Sequence, residues 1–141
     1  MMDPTALTCL LAPEGDVVAC VKTHFPNALA VWAFGSVIKG TPLPDSDLDL
    51  AVLVAGYAPA LALWDAASAL ASRVGCPVDL LDLRQASTVM QHQVITTGRC
   101  LWAQQPEGVQ FELFVLNEKL ALDAARAARL ADIKKTGTIY A

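Results

Sequence analysis

The sequence predicts an α/β or α+β domain, in which helices alternate with the strands of a sheet and cover one of its faces. Its 141 residues suit a single domain, residues 1–141, because no linker is long enough to divide them. Hydrophobic residues make up 55% of the chain and charged residues 17%, which is enough apolar surface to build a packed core. Strand-like apolar runs and segments with helical spacing then follow one another along the chain.

The first half of the predicted core, which spans about residues 14–103, contains one helix and two strands. Residues 14–24 have the spacing of a short helix, and the apolar run at 28–34 predicts a buried strand that ends in a tight turn. Two prolines and a glycine make residues 40–46 a loop. The pattern from residue 47 onward predicts a second strand that begins with carboxylates.

Two strands and three helices complete the prediction. They are a helix at 58–74, a strand at 77–83, a helix at 84–98, a strand at 99–103 and an alanine-rich helix at 109–132. The helix at 58–74 is expected to stop at Gly75.

The apolar faces of the two longest helices follow from positions three and four residues apart. In the helix at 58–74 that face contains Leu61, Trp64, Ala67, Leu70 or Ala71, and Val74. In the last helix it contains Leu113, Leu116, Leu120, Ala124 and Ala127. The sequence therefore predicts two amphipathic helices.

Charge and hydropathy exclude several classes of protein. Ten Lys and Arg residues against 14 Asp and Glu residues give a net charge of −4, which argues against a standing nucleic-acid partner bound through its phosphates. Charged residues interrupt the most apolar region, so we expect no membrane span. The first residues carry Asp3 but no Lys or Arg, unlike a secretory leader, and a cytoplasmic location is expected.

The four cysteines are far apart in the sequence, with neither a C-x-x-C pair nor a nearby histidine in metal-ligand spacing. They are Cys9, Cys20, Cys76 and Cys100. This spacing indicates neither a zinc site nor a disulfide framework, and we expect reduced, mostly buried thiols.

Two aspartates at the start of the second strand are the first candidates for chemistry. Alternate residues of a strand lie on one face, so Asp47 and Asp49 project together while Leu48 enters the core. Neighbouring carboxylates repel each other unless a cation compensates their charge. Oxygen ligands without a neighbouring Cys or His favour a hard ion, Mg²⁺ or Mn²⁺.

Gly35 and Ser36 lie at the end of the first strand and are separated from this aspartate pair by ten residues. A glycine there lets the backbone approach a bulky anion. The amide groups of the following turn, together with the Ser36 hydroxyl, can hold phosphate oxygens. Phosphate and metal are therefore predicted to share one pocket.

A third carboxylate would complete a site for two metal ions, which stabilise the attacking and leaving oxygens in a displacement at phosphorus. The third strand offers Asp79 and Asp82, which are three residues apart and therefore point to opposite faces. We select Asp79, because it lies where a neighbour of the second strand should align. Asp82 is interpreted as an acid that begins a helix beside Arg84.

The alternative without chemistry is that the Asp-x-Asp pair lies at a solvent-exposed strand edge and has no catalytic role. The full pattern, Gly-Ser followed after ten residues by Asp-x-Asp, arises by chance in roughly one chain in a thousand of this length. Its position between two strand-like runs favours the chemical interpretation further.

The same residues resemble a known family. The segments GSVIKG, SDLDL and VDLLDL are similar to those of the minimal nucleotidyltransferases of the DNA-polymerase-β-like superfamily, specifically the MNT antitoxins that are paired with HEPN ribonuclease toxins. The resemblance covers about residues 14–103. It implies a nucleotidyltransferase-like mixed sheet with flanking helices and a C-terminal helix.

The resemblance also implies an activity and roles for the candidate residues. Gly35 and Ser36 would bind the triphosphate, Asp47 and Asp49 would carry both metal ions, and Asp79 would be the third metal ligand and help to deprotonate the acceptor. The implied activity is transfer of AMP from ATP to a tyrosine of the cognate HEPN toxin. A homodimer and a hetero-oligomer both stay open.

The turn after Gly-Ser departs from the family pattern, which often contains arginines. Val37 and Ile38 are apolar here, and Lys39 supplies a single point charge for phosphate rather than a two-pronged contact. This departure predicts modest affinity for the triphosphate. Two alternatives therefore stay open: an antitoxin that is silent as an enzyme and neutralises by binding alone, and a nucleotidyltransferase that modifies a small molecule such as an aminoglycoside.

Overall fold

The computed structural model describes residues 8–35, residue 38 and residues 47–136, without the side chains of the last two. The elements of these residues alternate between helix and strand, as the sequence predicts. They are α1 (Asp16–His24), β1 (Ala28–Phe34), β2 (Leu48–Val54), α2 (Ala60–Val74), β3 (Val78–Asp82), a 3-10 helix (Leu83–Gln85), α3 (Thr88–Thr97), β4 (Arg99–Ala103) and α4 (Glu107–Thr136).

The four strands form one mixed sheet in the order β3-β2-β1-β4. Strand β1 pairs antiparallel with both β2 and β4, whereas β2 and β3 are parallel. Helix α2 connects this parallel pair, which needs a crossover of about this length. The parallel arrangement brings the first residues of β2 and β3 side by side.

Helices cover both faces of the sheet, so the expectation of one covered face is wrong. On one face, α1 and α2 pack against side chains such as Val31 and Leu50. On the other face, α3 and the beginning of α4 pack against Trp32 and Leu53. The physical reason is that β1 and β2 are apolar at successive residues, and both of their faces must be removed from water.

The helix predicted at 84–98 is shorter in the structure and begins at Thr88. Residues 83–85 form a separate 3-10 helix instead. Helix α3 begins after Ser87, whose hydroxyl accepts a hydrogen bond from the backbone N–H of Met90 at 3.1 Å and thereby caps the helix. The last helix is longer than predicted at both ends, spanning Glu107–Thr136.

The buried face of α2 agrees with the prediction at Leu70 and Val74 but not in the first half of the helix. The residues that reach the core are Ala66, Leu70 and Val74. The side chains of Leu61 and Trp64 are 71% and 70% exposed. Helix α2 has apolar residues around most of its circumference, so spacing did not decide which line of residues meets the sheet.

The buried face of α4 also differs from the predicted one. Phe111 and Val115 are buried against the sheet, whereas Leu113, Leu116 and Leu120 of the predicted face are exposed. From residue 116 onward most described side chains of α4 are exposed. The helix therefore packs on the domain through its first turns, and the remainder extends beyond the core.

The cysteines are free thiols, as expected, but they are not mostly buried. Cys20 is buried and Cys76 half-buried, while Cys9 and Cys100 are exposed. Cys100 lies on the edge strand β4, which explains its access to solvent. Within the described ranges, we find no helix with the length and apolar character needed to cross a membrane.

Candidate active site

Two of the predicted carboxylates meet at the first residues of β2 and β3. The parallel register pairs Asp49 directly with Asp79. Residues paired in this way point to the same face of a sheet, which here is the face covered by α3 and α4. Asp49 is half-buried and Asp79 is exposed, so the pair lies at the rim of the sheet, where a ligand has access.

Asp47 directly precedes β2, two residues before Asp49, and is exposed. Burial raises the pKa of the Asp49 carboxyl, and the negative charges of Asp79 and Asp47 raise that pKa further. Within the described part of the chain, none of the three carboxylates has an ion-pair partner. The three aspartates therefore form a negative cluster that would be stabilised by a cation.

Gly35 brings the end of β1 against this cluster. Its φ of +82° lies in the left-handed region that side-chain-bearing residues avoid. A Cβ atom added at this position would overlap the carboxylate of Asp49. The glycine is therefore required both by the turn and by the close approach of the backbone to the carboxylate.

The remaining predicted nucleotide contacts, Ser36 and Lys39, lie outside the described residues, as does Val37. The described residues reach Gly35, which follows β1 directly, and its neighbour Phe34 pairs with Asp49.

The chemistry of the donor set fits a hard divalent cation. Asp47, Asp49 and Asp79 offer oxygen atoms and three negative charges at one rim of the sheet, and Mg²⁺ and Mn²⁺ prefer such ligands. No three acidic, His or Cys side chains in residues 8–35, 38 and 47–136 are grouped closely enough to hold a metal ion together. The carboxylate atoms would therefore have to reorient to bind one.

Asp82 has the structural role that the sequence suggests. It is 5% exposed and lies on the face of β3 opposite to Asp79, as predicted. Its carboxylate accepts hydrogen bonds from the backbone N–H groups of Ala58 (2.9 Å) and Arg84 (3.1 Å) and from Gln85 Nε2 (2.7 Å). Asp82 thereby caps the 3-10 helix and fastens the loop before α2 to β3.

Replacement of Asp82 with alanine is expected to lower the free energy of unfolding by about 2–4 kcal/mol, because buried donors lose a charged acceptor. Asp79→Ala, three residues earlier and exposed, is expected to change it by less than about 0.5 kcal/mol. Urea unfolding of both variants measures the difference. Equal losses of stability would contradict these assignments.

The sequence pattern does not point to two aromatic residues that lie near the carboxylates. Phe34 pairs with Asp49 across β1 and β2, and its position directly before Gly35 could have indicated this. Trp64 lines a groove together with Asp79. The sequence does not indicate that Trp64 is exposed at a groove, because this residue fits the apolar spacing of a buried helix face.

Comparisons with known proteins agree with this fold. The family model of polymerase beta nucleotidyltransferases matches residues 17–107. The chain is 36% identical over 120 residues to the protein adenylyltransferase MntA of Shewanella oneidensis, an alignment that covers 85% of this chain and 86% of that protein.

Solved structures of toxin-antitoxin complexes are similar as well. A toxin-antitoxin structure with AMP-PNP superposes with a TM-score of 0.74 at 36% identity, covering 84% of this chain and 95% of the other. A tri-AMPylated Shewanella oneidensis HEPN toxin in complex with its MNT antitoxin gives a TM-score of 0.69 at 33% identity, covering 86% and 96%. The similarity thus includes the strands that carry the candidate residues.

Proposed function

The chain belongs to the polymerase beta nucleotidyltransferase family, and on this premise we propose that it is an antitoxin that transfers AMP from ATP to a tyrosine of a cognate HEPN ribonuclease toxin. The observation that carries the proposal is the pairing of Asp49 with Asp79 on adjacent parallel strands, beside the close approach of Gly35. Similarity to a protein adenylyltransferase over most of both chains supports a protein as the acceptor.

The proposed metal ligands are Asp47, Asp49 and Asp79, and the proposed ion is Mg²⁺ or Mn²⁺. When bound, such ions supply positive charge to the oxygens of the reacting phosphate. Burial and then the charges of Asp79 and Asp47 raise the pKa of Asp49, which supports this assignment because a cation would stabilise the ionised carboxylate. Gly35, Ser36 and Lys39 are the proposed nucleotide contacts, and Lys39 would contribute a single positive charge.

In the proposed reaction, the tyrosine hydroxyl oxygen forms a bond to the α-phosphorus of ATP while the bond from that phosphorus to pyrophosphate breaks. The hydroxyl proton passes to a carboxylate, and Asp79 is the candidate because it is exposed and lies on the outermost strand. Asp49 is held more rigidly inside the sheet and is suited to positioning. A cytoplasmic location is part of the proposal, since it suits an enzyme that consumes ATP.

The activity is testable with the purified protein, its cognate toxin, ATP and Mg²⁺. Intact-mass spectrometry is expected to show the toxin gaining the mass of one or more AMP groups on tyrosine, with loss of the gain in EDTA. The variant Asp47→Ala plus Asp49→Ala is the control and should leave the toxin unmodified. No mass gain with the wild-type protein, together with equal protection of cells by both proteins, would establish neutralisation by binding alone.

A further inference from the structure

A groove of about 430 Å³ lies between α2 and β3. Its walls are mainly apolar, and Trp64 is largely exposed along it. The residues that line it include Trp64, Ala67, Val78, Asp79 and Leu80. Because Asp79 borders this groove and also belongs to the carboxylate cluster, the groove and the candidate active site meet at β3, on opposite faces of that strand.

Strand β3 is at the edge of the sheet and has one described neighbour, β2. The outward backbone N–H and C=O groups of an edge strand can pair with an extended segment of another protein. Such pairing supplies affinity through the backbone, and side-chain pockets supply specificity. The groove is a pocket of this kind, next to a strand edge that no other described strand covers.

The two faces of β3 differ in their chemistry. Val78 and Leu80 point towards α2 and the groove, whereas Asp79 points to the opposite face, with Asp49. A strand added beside β3 would alternate in the same way. Adjacent residues of that strand would therefore meet the groove and the carboxylate cluster respectively.

We propose that an extended segment of the acceptor protein pairs with the outer edge of β3, placing an apolar side chain in the groove beside Trp64 and the adjacent tyrosine over Asp79. Cβ atoms of directly opposed residues on paired strands are about 4.5–5.5 Å apart, which is within the reach of a phenol ring. This inference rests on the proposed function, because it takes the acceptor to be a protein tyrosine. It assigns Trp64 as a specificity-determining residue for that protein.

The first test separates binding of the toxin from the rate of transfer. With saturating ATP, Trp64→Ser is expected to raise the KM for the toxin about tenfold, as for loss of an aromatic anchor, with less than a twofold change in kcat. Trp64→Phe should restore the KM. Tyr57→Ser is the matched control, because Tyr57 is an equally exposed aromatic residue (72%) located after β2, at the other end of that strand.

The second test addresses the pairing itself. In the complex with toxin and AMP-PNP, hydrogen exchange at residues 78–82 is expected to slow relative to the free protein, and Trp64→Ser should weaken that protection.

An unchanged KM for Trp64→Ser in a protein that transfers AMP would overturn the inference while leaving the proposed function intact. A change in the self-association of the chain without a change in KM would also overturn it, by making the groove a contact between copies. Absence of transfer by the wild-type protein would instead refute the proposed function.

Discussion

Asp49→Asn is expected to lower the rate of AMP transfer by roughly 10³-fold, because charge stabilisation by a bound metal contributes several kcal/mol to such reactions. The same substitution is expected to stabilise the metal-free protein at pH 7. Burial and the charges of Asp79 and Asp47 disfavour the ionised form of Asp49, and asparagine removes that charge. Activity and stability thus change in opposite directions.

The raised pKa of Asp49 determines the direction in which the free energy of unfolding changes with pH. The pKa of Asp49 is raised above its ordinary value of 3.8, so the folded protein binds more protons than the unfolded chain between the two pKa values. The free energy of unfolding therefore falls as pH rises from about 3.8 through the raised pKa. In EDTA, Asp49→Asn should have a higher Tm than the wild type at pH 7, and the difference should shrink below that window.

Asp65→Asn is a suitable control, because Asp65 is exposed on α2 and outside the carboxylate cluster. It should leave both the transfer rate and the Tm nearly unchanged. If Asp49→Asn were destabilising in EDTA, the carboxylate would have to be held by favourable contacts, contrary to the repulsion described above.

Gly35→Ala is expected to lower kcat/KM by roughly 10²-fold and the free energy of unfolding by about 2–4 kcal/mol. Alanine at a φ of +82° costs about 1–2 kcal/mol through its backbone conformation. The added Cβ would also overlap the carboxylate of Asp49, which must move away from its place beside the turn. The activity loss follows from that displacement.

Gly75→Ala separates the two effects. Gly75 has a similar φ of +75°, where it ends α2, but an added Cβ would have no atom within 4 Å. This variant should therefore lose only about 1–2 kcal/mol and keep full activity. Thermal unfolding and AMP-transfer assays of both variants make the comparison, and equal effects on activity would show that contact with Asp49 is unimportant.

The strands and the alignment of the candidate carboxylates were predictable from the sequence. Apolar runs bounded by glycine and proline mark the strands, and β4 coincides with the prediction. Asp79 could be chosen over Asp82 for two reasons. Residues three apart on a strand point to opposite faces, and the apolar start of β3 indicates which residue of β3 aligns with the carboxylates of β2. The roles of the selected residues in catalysis stay predictions.

Helix orientation was only partly predictable, and the reason is visible in α2 and α4. Both helices have more than one line of apolar residues, and spacing alone does not choose between them. Trp64 follows the helical spacing and is nevertheless largely exposed, while Phe111 lies outside the predicted line and is buried. The choice depends on which residues meet the sheet, a contact between segments far apart in the sequence.

The two paired carboxylates, Asp49 and Asp79, lie on strands that are held in the sheet to different degrees. Asp49 lies on a central strand that is hydrogen-bonded on both sides, whereas Asp79 lies on an edge strand that, among the described strands, pairs on one side. Local fraying of the sheet would release Asp79 before Asp49. In the proposed reaction, an incoming substrate would therefore be able to shift Asp79, while Asp49 would keep its position in the sheet.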